Sequence, residues 1–431
     1  MRGFLKFEQV NDLNPAHNMN KASKYLKSSG SIETLEIGNL VDLVISDAIE
    51  AGSSDIHIEP WDASLVVRVR LNGVLQELLH LPIELMEKVS GRLKVMANLV
   101  SYEMDRPQEG HAQTGAEMGG VELRMSFFPV IRGNHAGGVL RGEKIVIRIF
   151  DPNKRSFNLD EIGFEDATLK SLKKLLAKPS GMILLTGPTG SGKTTAIYAA
   201  LAHLVKTHGS AISLSTVEDP VEYNLPMISQ AQIHHAKDFT YPVALRSLMR
   251  QDPQVIMVGE LRDAETANIA VQAGLTGHLV ISTIHSGSTA GVFARMINMS
   301  IEPFLLASSV IGVLGLRLIR TVCPYCAQPY QPEVSLMKLV PEPLRDEASF
   351  RHGGGCEHCV MTGYSGRTSV TEMLEVNEKV REAIMDKLPT RKLQNIAIEQ
   401  GMNTLWKAGM QRVIKGETPL EEIIRSIPTD H

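Results

Sequence analysis

The chain is sparing with the residues that mark several common protein classes. Only four cysteines occur in 431 residues, too few for the disulfide framework of a small secreted scaffold. Basic charge is not in excess: 44 Lys and Arg stand against 48 Asp and Glu, a formal net charge of -4. A nucleic-acid translocase is expected to carry a basic stripe interleaved with aromatics for base stacking, and aromatics are only 5% of the chain. Residues 1–20 lack an apolar core of signal-peptide type, which points to the cytoplasm. The one long apolar run, Phe304–Leu316, is interrupted by Ser308, Ser309, Gly312 and Gly315 and stops at Arg317. It is too short to span a bilayer and reads as a buried helix. What remains is an ordinary globular composition with length for roughly three domains.

Against that background one stretch stands out. Gly187-Pro188-Thr189-Gly190-Ser191-Gly192-Lys193-Thr194 fits G-x-x-x-x-G-K-[ST] at every fixed position. The apolar run Met182–Leu185 before it suits a buried parallel strand, and the Ala- and Leu-rich Thr195–Val205 suits a helix. Glycines let backbone N–H groups curl around a phosphate chain. Lys193 then reaches the terminal phosphates, and the Thr194 hydroxyl can hold Mg²⁺.

The cysteines come as two pairs, Cys323-Pro-Tyr-Cys326 and Cys356-Glu-His-Cys359, with none left over. That spacing reads as four thiolates around one Zn²⁺, a closed structural site with no position open to substrate.

In chain order, residues 1 to about 31 are polar, a linker or loose leading helix. Leu35, Leu40, Leu43, Val44 and Ala48 then fall at helical steps. Ser54–Pro60 alternates as a half-buried strand with His57 facing outward. Leu65–Leu71 follows, with Val67 and Val69 on one face, Arg68 and Arg70 on the other, and the hairpin dipeptide Asn72-Gly73 after it. Leu85–Leu99 is helical. Val121–Phe127 and Lys144–Ile149 are strands, separated by a Gly-rich basic segment, 131–141. This first α/β domain ends near 150, and Asp151-Pro152-Asn153-Lys154 reads as a linker. Further strands at Ile212–Val217, Val255–Val258 and Leu279–Thr283 alternate with helices, which predicts a parallel sheet covered on both faces. Ligands bind at the carboxyl ends of such sheets. Glu218, Asp219, Glu222, Glu260, His278 and His285 are all expected just beyond those ends.

Those motifs together resemble the type II secretion and type IV pilus ATPases (the GspE/PilB class), from about Ser31 to the C-terminus. Gly187–Thr195 matches the family's Walker A, Val217–Tyr223 its aspartate box, Asp252–Glu260 its Walker B and Gly277–His285 its histidine box. The tetracysteine resembles the assembly or export branch rather than the retraction branch. There are departures. Segment 131–141 reads as an insertion, Gln254 and Asn72 replace aspartates, Glu109 replaces another, and the family's further N-terminal docking domain has no counterpart.

The resemblance implies an α/β fold with a RecA-like core at 161–320 and a smaller PAS-like α/β domain at 31–150. Residues 1–30 would lead, 151–160 link, 321–365 bind zinc and 366–431 form a helical C-terminus. It also implies a cytoplasmic homo-hexamer at the inner-membrane face, hydrolysing ATP to ADP against a membrane platform protein of a pilus or secretion machine, with no nucleic acid. Glu222 would position and deprotonate the attacking water and Glu260 would support Mg²⁺. Thr195 belongs to the loop. Glu218 and Asp219 would polarise the same waters, and His278 and His285 would sense the phosphate. Arg68, Arg70, Arg124 and Arg148 match family arginines that complete the site. Two other readings remain, a DNA translocase of the same core fold and a nucleotide-sensing scaffold without turnover.

Overall fold

The computed structural model describes residues 20–29, 31–61, 64–135, 138–151, 157–340, 342–345 and 348–428, with the side chains of 132–141 and 343–344 excepted. Most of the leading segment and residues 152–156 of the linker therefore lie outside the described residues. The chain divides into two compact units. The first is Met1–Arg155 with Val322–Gln328 and Gly353–Gly366, and the second is Ser156–Thr321, Pro329–His352 and Arg367–His431.

The first unit comprises α1 (Lys21–Ser29), α2 (Ile37–Glu50), β1 (Asp55–Pro60), β2 (Ser64–Leu71), β3 (Val74–Pro82), α3 (Met86–Met96), β4 (Gln108–Gln113), β5 (Glu122–His135) and β6 (Gly138–Phe150). Its six strands form an antiparallel sheet in the order β3-β2-β1-β6-β5-β4. Asn72 and Gly73 both take positive φ, 49° and 83°, as a two-residue type I′ hairpin requires. Alternation along the strands sends Ile56, Ile58, Val67, Val69, Leu123, Met125, Phe127, Ile145 and Ile147 to one face, where they bury against α2 and α3. Each such side chain contributes about 1.5–3 kcal/mol. The described residues of segment 131–141 stay in the sheet. Ile131 pairs with Arg141 and His135 with Gly138, so it continues the β5–β6 hairpin.

The second unit follows the order α4 (Asp166–Leu176), β7 (Gly181–Thr186), α5 (Lys193–His208), β8 (Leu214–Glu218), β9 (Ser229–Gln232), α6 (Tyr241–Leu248), β10 (Val255–Val258), α7 (Ala264–Leu275), β11 (Leu279–Thr283), α8 (Gly291–Asn298), α9 (Pro303–Ser309) and β12 (Val310–Val322). A two-stranded ribbon, β13 (Ala327–Pro329) with β14 (Arg351–Gly353), encloses the short helices α10 (Val334–Met337) and α11 (Glu342–Arg345). The chain ends in β15 (Tyr364–Glu375), α12 (Glu378–Met385), α13 (Thr390–Glu399), α14 (Leu405–Ile414) and α15 (Leu420–Ser426).

The large sheet runs β15-β12-β7-β11-β10-β8-β9. From β12 to β9 every pair is parallel, as the strand–helix alternation predicts. All six residues of β7 are buried. Met182 and Leu184 face the core beneath α6 to α9, while Ile183 and Leu185 face the core beneath α4 and α5.

The run Phe304–Leu316 is not one helix. It begins in α9, with Pro303 at the first turn, and changes at Val310 into β12. Val310, Ile311 and Val313 favour strand. Gly312 and Gly315 allow close approach, since a Cβ at 312 would lie 2.4 Å from the Leu175 side chain.

The C-terminal helices are tied to β12 by Glu422, 1% exposed. Its carboxylate accepts from Arg320 Nη2 at 2.6 Å, from the Arg320 backbone N–H at 3.0 Å and from Arg425 Nη2 at 2.6 Å. Burial opposes ionisation of Glu422, but these donors hold its carboxyl below the usual carboxylate value. A depressed folded pKa stabilises above the unfolded value of about 4.3, and that contribution fades as pH falls through the folded value. Glu422→Gln is expected to lower unfolding free energy at pH 7 by about 3 kcal/mol. In urea titrations the gap from native protein narrows below about pH 4. A gap constant down to pH 3 would remove the ion pair as its cause.

Candidate functional site

The glycine-rich loop turns out of β7 and into α5, and β12 closes one side of it. Gly187 takes φ 152°, and a Cβ there would meet the Leu316 carbonyl at 2.5 Å and Ser191 Oγ at 2.6 Å. Only glycine fits. Lys193 Nζ donates to the Gly187 and Pro188 carbonyls at 2.7 and 3.0 Å, folding the ammonium over the loop. Burial pushes this ammonium below its usual pKa; the Glu260 charge opposes the shift and the Arg317 charge adds to it. Ser191 Oγ is buried without a hydrogen-bond partner. A cradle of glycines, an orphaned hydroxyl and a desolvated ammonium at a helix N-terminus suits a phosphate chain. Thr194 and Thr195 lie in the first turn of α5, directly after Lys193.

Burial sorts the acidic residues at this end of the sheet. Glu218 is the last residue of β8 and 3% exposed. It accepts from the Tyr198 hydroxyl, from Thr216 Oγ1 at 2.5 Å and from Gln230 Nε2 at 3.0 Å. That network anchors the strand end and occupies both carboxylate oxygens of Glu218 with protein donors. Asp219 stands 3.3 Å from His235 Nε2 and 3.9 Å from Arg262 Nη1. Glu222 follows on a half-buried turn whose N–H donates to the Tyr198 hydroxyl at 3.3 Å. Glu260, just beyond β10, pairs with Arg262 and lies 3.8 Å from His285 Nε2. Beneath them the Tyr241 hydroxyl is pushed above its usual pKa by burial, then by the Asp219 and Glu260 charges.

The two histidines part company. His285 lies beyond the carboxyl end of β11 beside Glu260. His278 precedes β11, and its carbonyl accepts from the Gly181 N–H at the start of β7. With about 3.3 Å per strand residue, that is roughly 16 Å from the phosphate loop. Its Nδ1 contacts the Ala273 carbonyl at 3.1 Å, so it fastens the end of α7 instead. The rule that ligands gather at strand ends holds for the carboxyl ends alone, and His278 sits at the other.

Two groups escaped the sequence reading. Tyr198, on α5, orients both Glu218 and the Glu222 turn, and Phe157 and Tyr223 pack on its ring edge-on at 5.3 and 6.3 Å. Arg317 lies on β12 beside the loop, 8% exposed. The available signal is the arginine at which the apolar run 304–316 stops.

In the first unit the register aligns the four arginines on the polar face of the sheet. Arg70, Asp55, Arg148, Arg124 and His111 stand opposite one another across β2, β1, β6, β5 and β4. Asp55 lies 3.4 Å from both Arg70 and Arg148, and Glu59 holds Arg68 and, at 2.7 Å, Lys144. Arg124 is 3.1 Å from Glu122 and its guanidinium stacks 4.3 Å over the Phe150 ring. Arg68, Arg70, Arg124, Lys144 and Arg148 share this face with Asp55, Glu59 and Glu122, and the register adds Glu77 and Glu109 to it. His57 belongs to it too, but is 9% exposed rather than outward in water.

The four cysteines converge, each Sγ within 4.8 Å of the others. Cys323–Cys356, Cys326–Cys359 and Cys356–Cys359 sulfurs stand 3.9, 3.8 and 3.7 Å apart. A tetrahedron with metal–sulfur bonds of about 2.3 Å needs edges of about 3.8 Å, so the set is compatible with Zn²⁺. Burial opposes ionisation of Cys359, but N–H donors from Cys356 and Gly363, both at 3.2 Å, bring its thiol down to about 7.

Comparison with known proteins gives one consistent answer. Residues 32–425 match the family model described as Type II/IV secretion system protein. The type II secretion system protein E of Dickeya dadantii is 39% identical over 386 residues, covering 90% of this chain and 74% of that protein. The type IV pilus assembly ATPase PilB of Myxococcus xanthus is 38% identical over 397 residues, 91% of this chain and 68% of that protein. In fold, the Legionella pneumophila ATPase DotB superposes with a TM-score of 0.67 at 17% identity, covering 90% of this chain and 95% of the other. No helix among the described residues is long and apolar enough to cross a membrane.

Proposed function

Because the chain belongs to the type II/IV secretion system protein family, we infer that it is an ATPase motor that drives pilus assembly or type II protein export. The observation that carries this reading is the seat at the carboxyl end of the large sheet. Glycine cradle, Lys193, Glu260 and the Glu222 turn meet there at one place. A DNA translocase is not favoured, since neither the charge balance nor the relatives point to it.

Hydrolysis asks for phosphate positioning, charge neutralisation and an activated water. Lys193 exchanges the Gly187 and Pro188 carbonyls for phosphate oxygens. Thr194 would hold Mg²⁺, which supplies charge neutralisation between the phosphates, and Glu260 would order the waters around that ion. Glu222, on a turn fixed by Tyr198, orients the attacking water and takes its proton. His285, bridged to Glu260, reports the state of that carboxylate to the following loop. The cysteines would hold one structural Zn²⁺. The six-stranded first unit supports the PAS-like reading. The family resemblance supports a cytoplasmic homo-hexamer, peripheral to the inner membrane and acting on a platform protein. Within it, Arg68, Arg70, Arg124 and Arg148 would add guanidinium groups to the phosphate.

Three outcomes test this. Lys193→Ala is expected to weaken ATP binding and abolish hydrolysis, while Glu222→Gln keeps ATP bound and stops turnover; near-normal turnover in Glu222→Gln would move the base to Glu260. Elemental analysis of protein prepared without chelator should find about one zinc per chain, and metal-free protein with free thiols or disulfides would end the zinc assignment. Arg68→Ala or Arg124→Ala should leave ADP affinity nearly intact and cut turnover by about 10³-fold, as loss of an arginine finger does. Full turnover in all four single arginine variants would return that face to solvent charge.

A further inference from the structure

Arg317 is a buried cation without a counter-ion. Its Nη1 donates to the Leu316 carbonyl at 2.9 Å, and no carboxylate lies within 4.0 Å of it among the described residues. The buried acid nearest in charge, Glu372, already accepts from the Thr289 hydroxyl and from the Leu405 N–H at 3.1 Å. Burial accordingly pushes the guanidinium below its usual pKa, with Glu372 opposing. Taking a guanidinium out of water is costly unless an anion answers it. An arginine kept for architecture would be paired, as Arg320 is with Glu422.

The phosphate loop is the neighbour that lacks an anion. The carbonyl that receives Arg317 Nη1 is the one that closes on Gly187, 2.5 Å from the position of a Cβ there. The next residue, Leu318, lies 3.6 Å from the Cβ position at Gly192. Gly315 is level with Thr186 in the β12–β7 register, so Arg317 lies past the end of β7, alongside the loop. Gly315 and Arg317 share a face of β12, and a Cβ at 315 would lie 3.0 Å from Thr289, on the loop that follows His285. Lys193 and Arg317 thus lie near the same phosphate loop, close enough that the Arg317 charge bears on the Lys193 ammonium.

We propose that Arg317 is a phosphate ligand supplied by the same chain: its guanidinium releases the Leu316 carbonyl and donates to the terminal phosphates of the bound nucleoside triphosphate, beside Lys193. The planar fork suits two phosphate oxygens at once, which an ammonium cannot do. Because the donor is carried on β12, phosphate loss is felt directly by the strand that leads to Cys323. This assignment rests on the nucleotide reading above.

The test is thermal unfolding and equilibrium Mg²⁺-ATP binding by the full chain, native and with Arg317→Gln or Arg317→Lys. Without nucleotide, Arg317→Gln should melt at or above the native temperature, since an unanswered buried charge has gone. It should bind ATP at least about tenfold more weakly and lose most of the ATP-dependent rise in Tm, the scale of one charge-assisted hydrogen bond. Arg317→Lys should recover part of the affinity. If both variants melt lower than native before nucleotide is added and then bind ATP alike, the arginine is architectural and the proposal fails. If native protein and Arg317→Gln gain the same rise in Tm, the proposal fails and the nucleotide reading stands. If native protein gains none, the nucleotide reading itself fails.

Discussion

The closure of β12 on the phosphate loop is the constraint from which the site follows. Parallel pairing of β12 with β7 carries the Leu316 carbonyl to Gly187, where no side chain fits. The loop passes this close approach as bare backbone and leads directly into α5. The Lys193 ammonium, folded over the loop, lies within reach of the Glu260 charge. A parallel sheet delivers this arrangement because each strand end releases its loop on the same side, and because both faces are buried under helices, leaving the ends as the accessible edge.

Charge is distributed by burial rather than by number. Glu218 is enclosed by Tyr198, Thr216 and Gln230 and holds the strand end still. Glu260 and Asp219 share Arg262 at the rim, and Glu222 rides on a turn that Tyr198 fixes. One tyrosine on the helix that begins at the phosphate loop therefore connects phosphate, structural acid and proposed base. In the first unit the arginines are aligned by cross-strand register, and each is held by a carboxylate of the same sheet.

The local signals in the sequence were strong where chemistry demands one residue type. The phosphate loop, the Asn72-Gly73 turn and the paired cysteines each admit few substitutes, and each appears where its motif placed it. Strand–helix alternation likewise led to the parallel sheet. Readings failed where the answer lay in tertiary context. Phe304–Leu316 is apolar enough for a helix, but only the groove beside β7 decides that its second half is a strand. His278 shares a motif with His285 and sits at the opposite end of the same strand, which composition cannot reveal. Tyr198 and Arg317 carry no motif, since their importance comes from neighbours brought in by the fold.

The account turns on whether this seat hydrolyses ATP on its own terms. The direct measurement is phosphate release from Mg²⁺-ATP by the purified full chain, with and without single- and double-stranded DNA. Steady release unchanged by either DNA is the predicted result. Release that depends on DNA would favour a translocase, and tight ATP binding with no release under any condition would leave a nucleotide sensor in place of a motor.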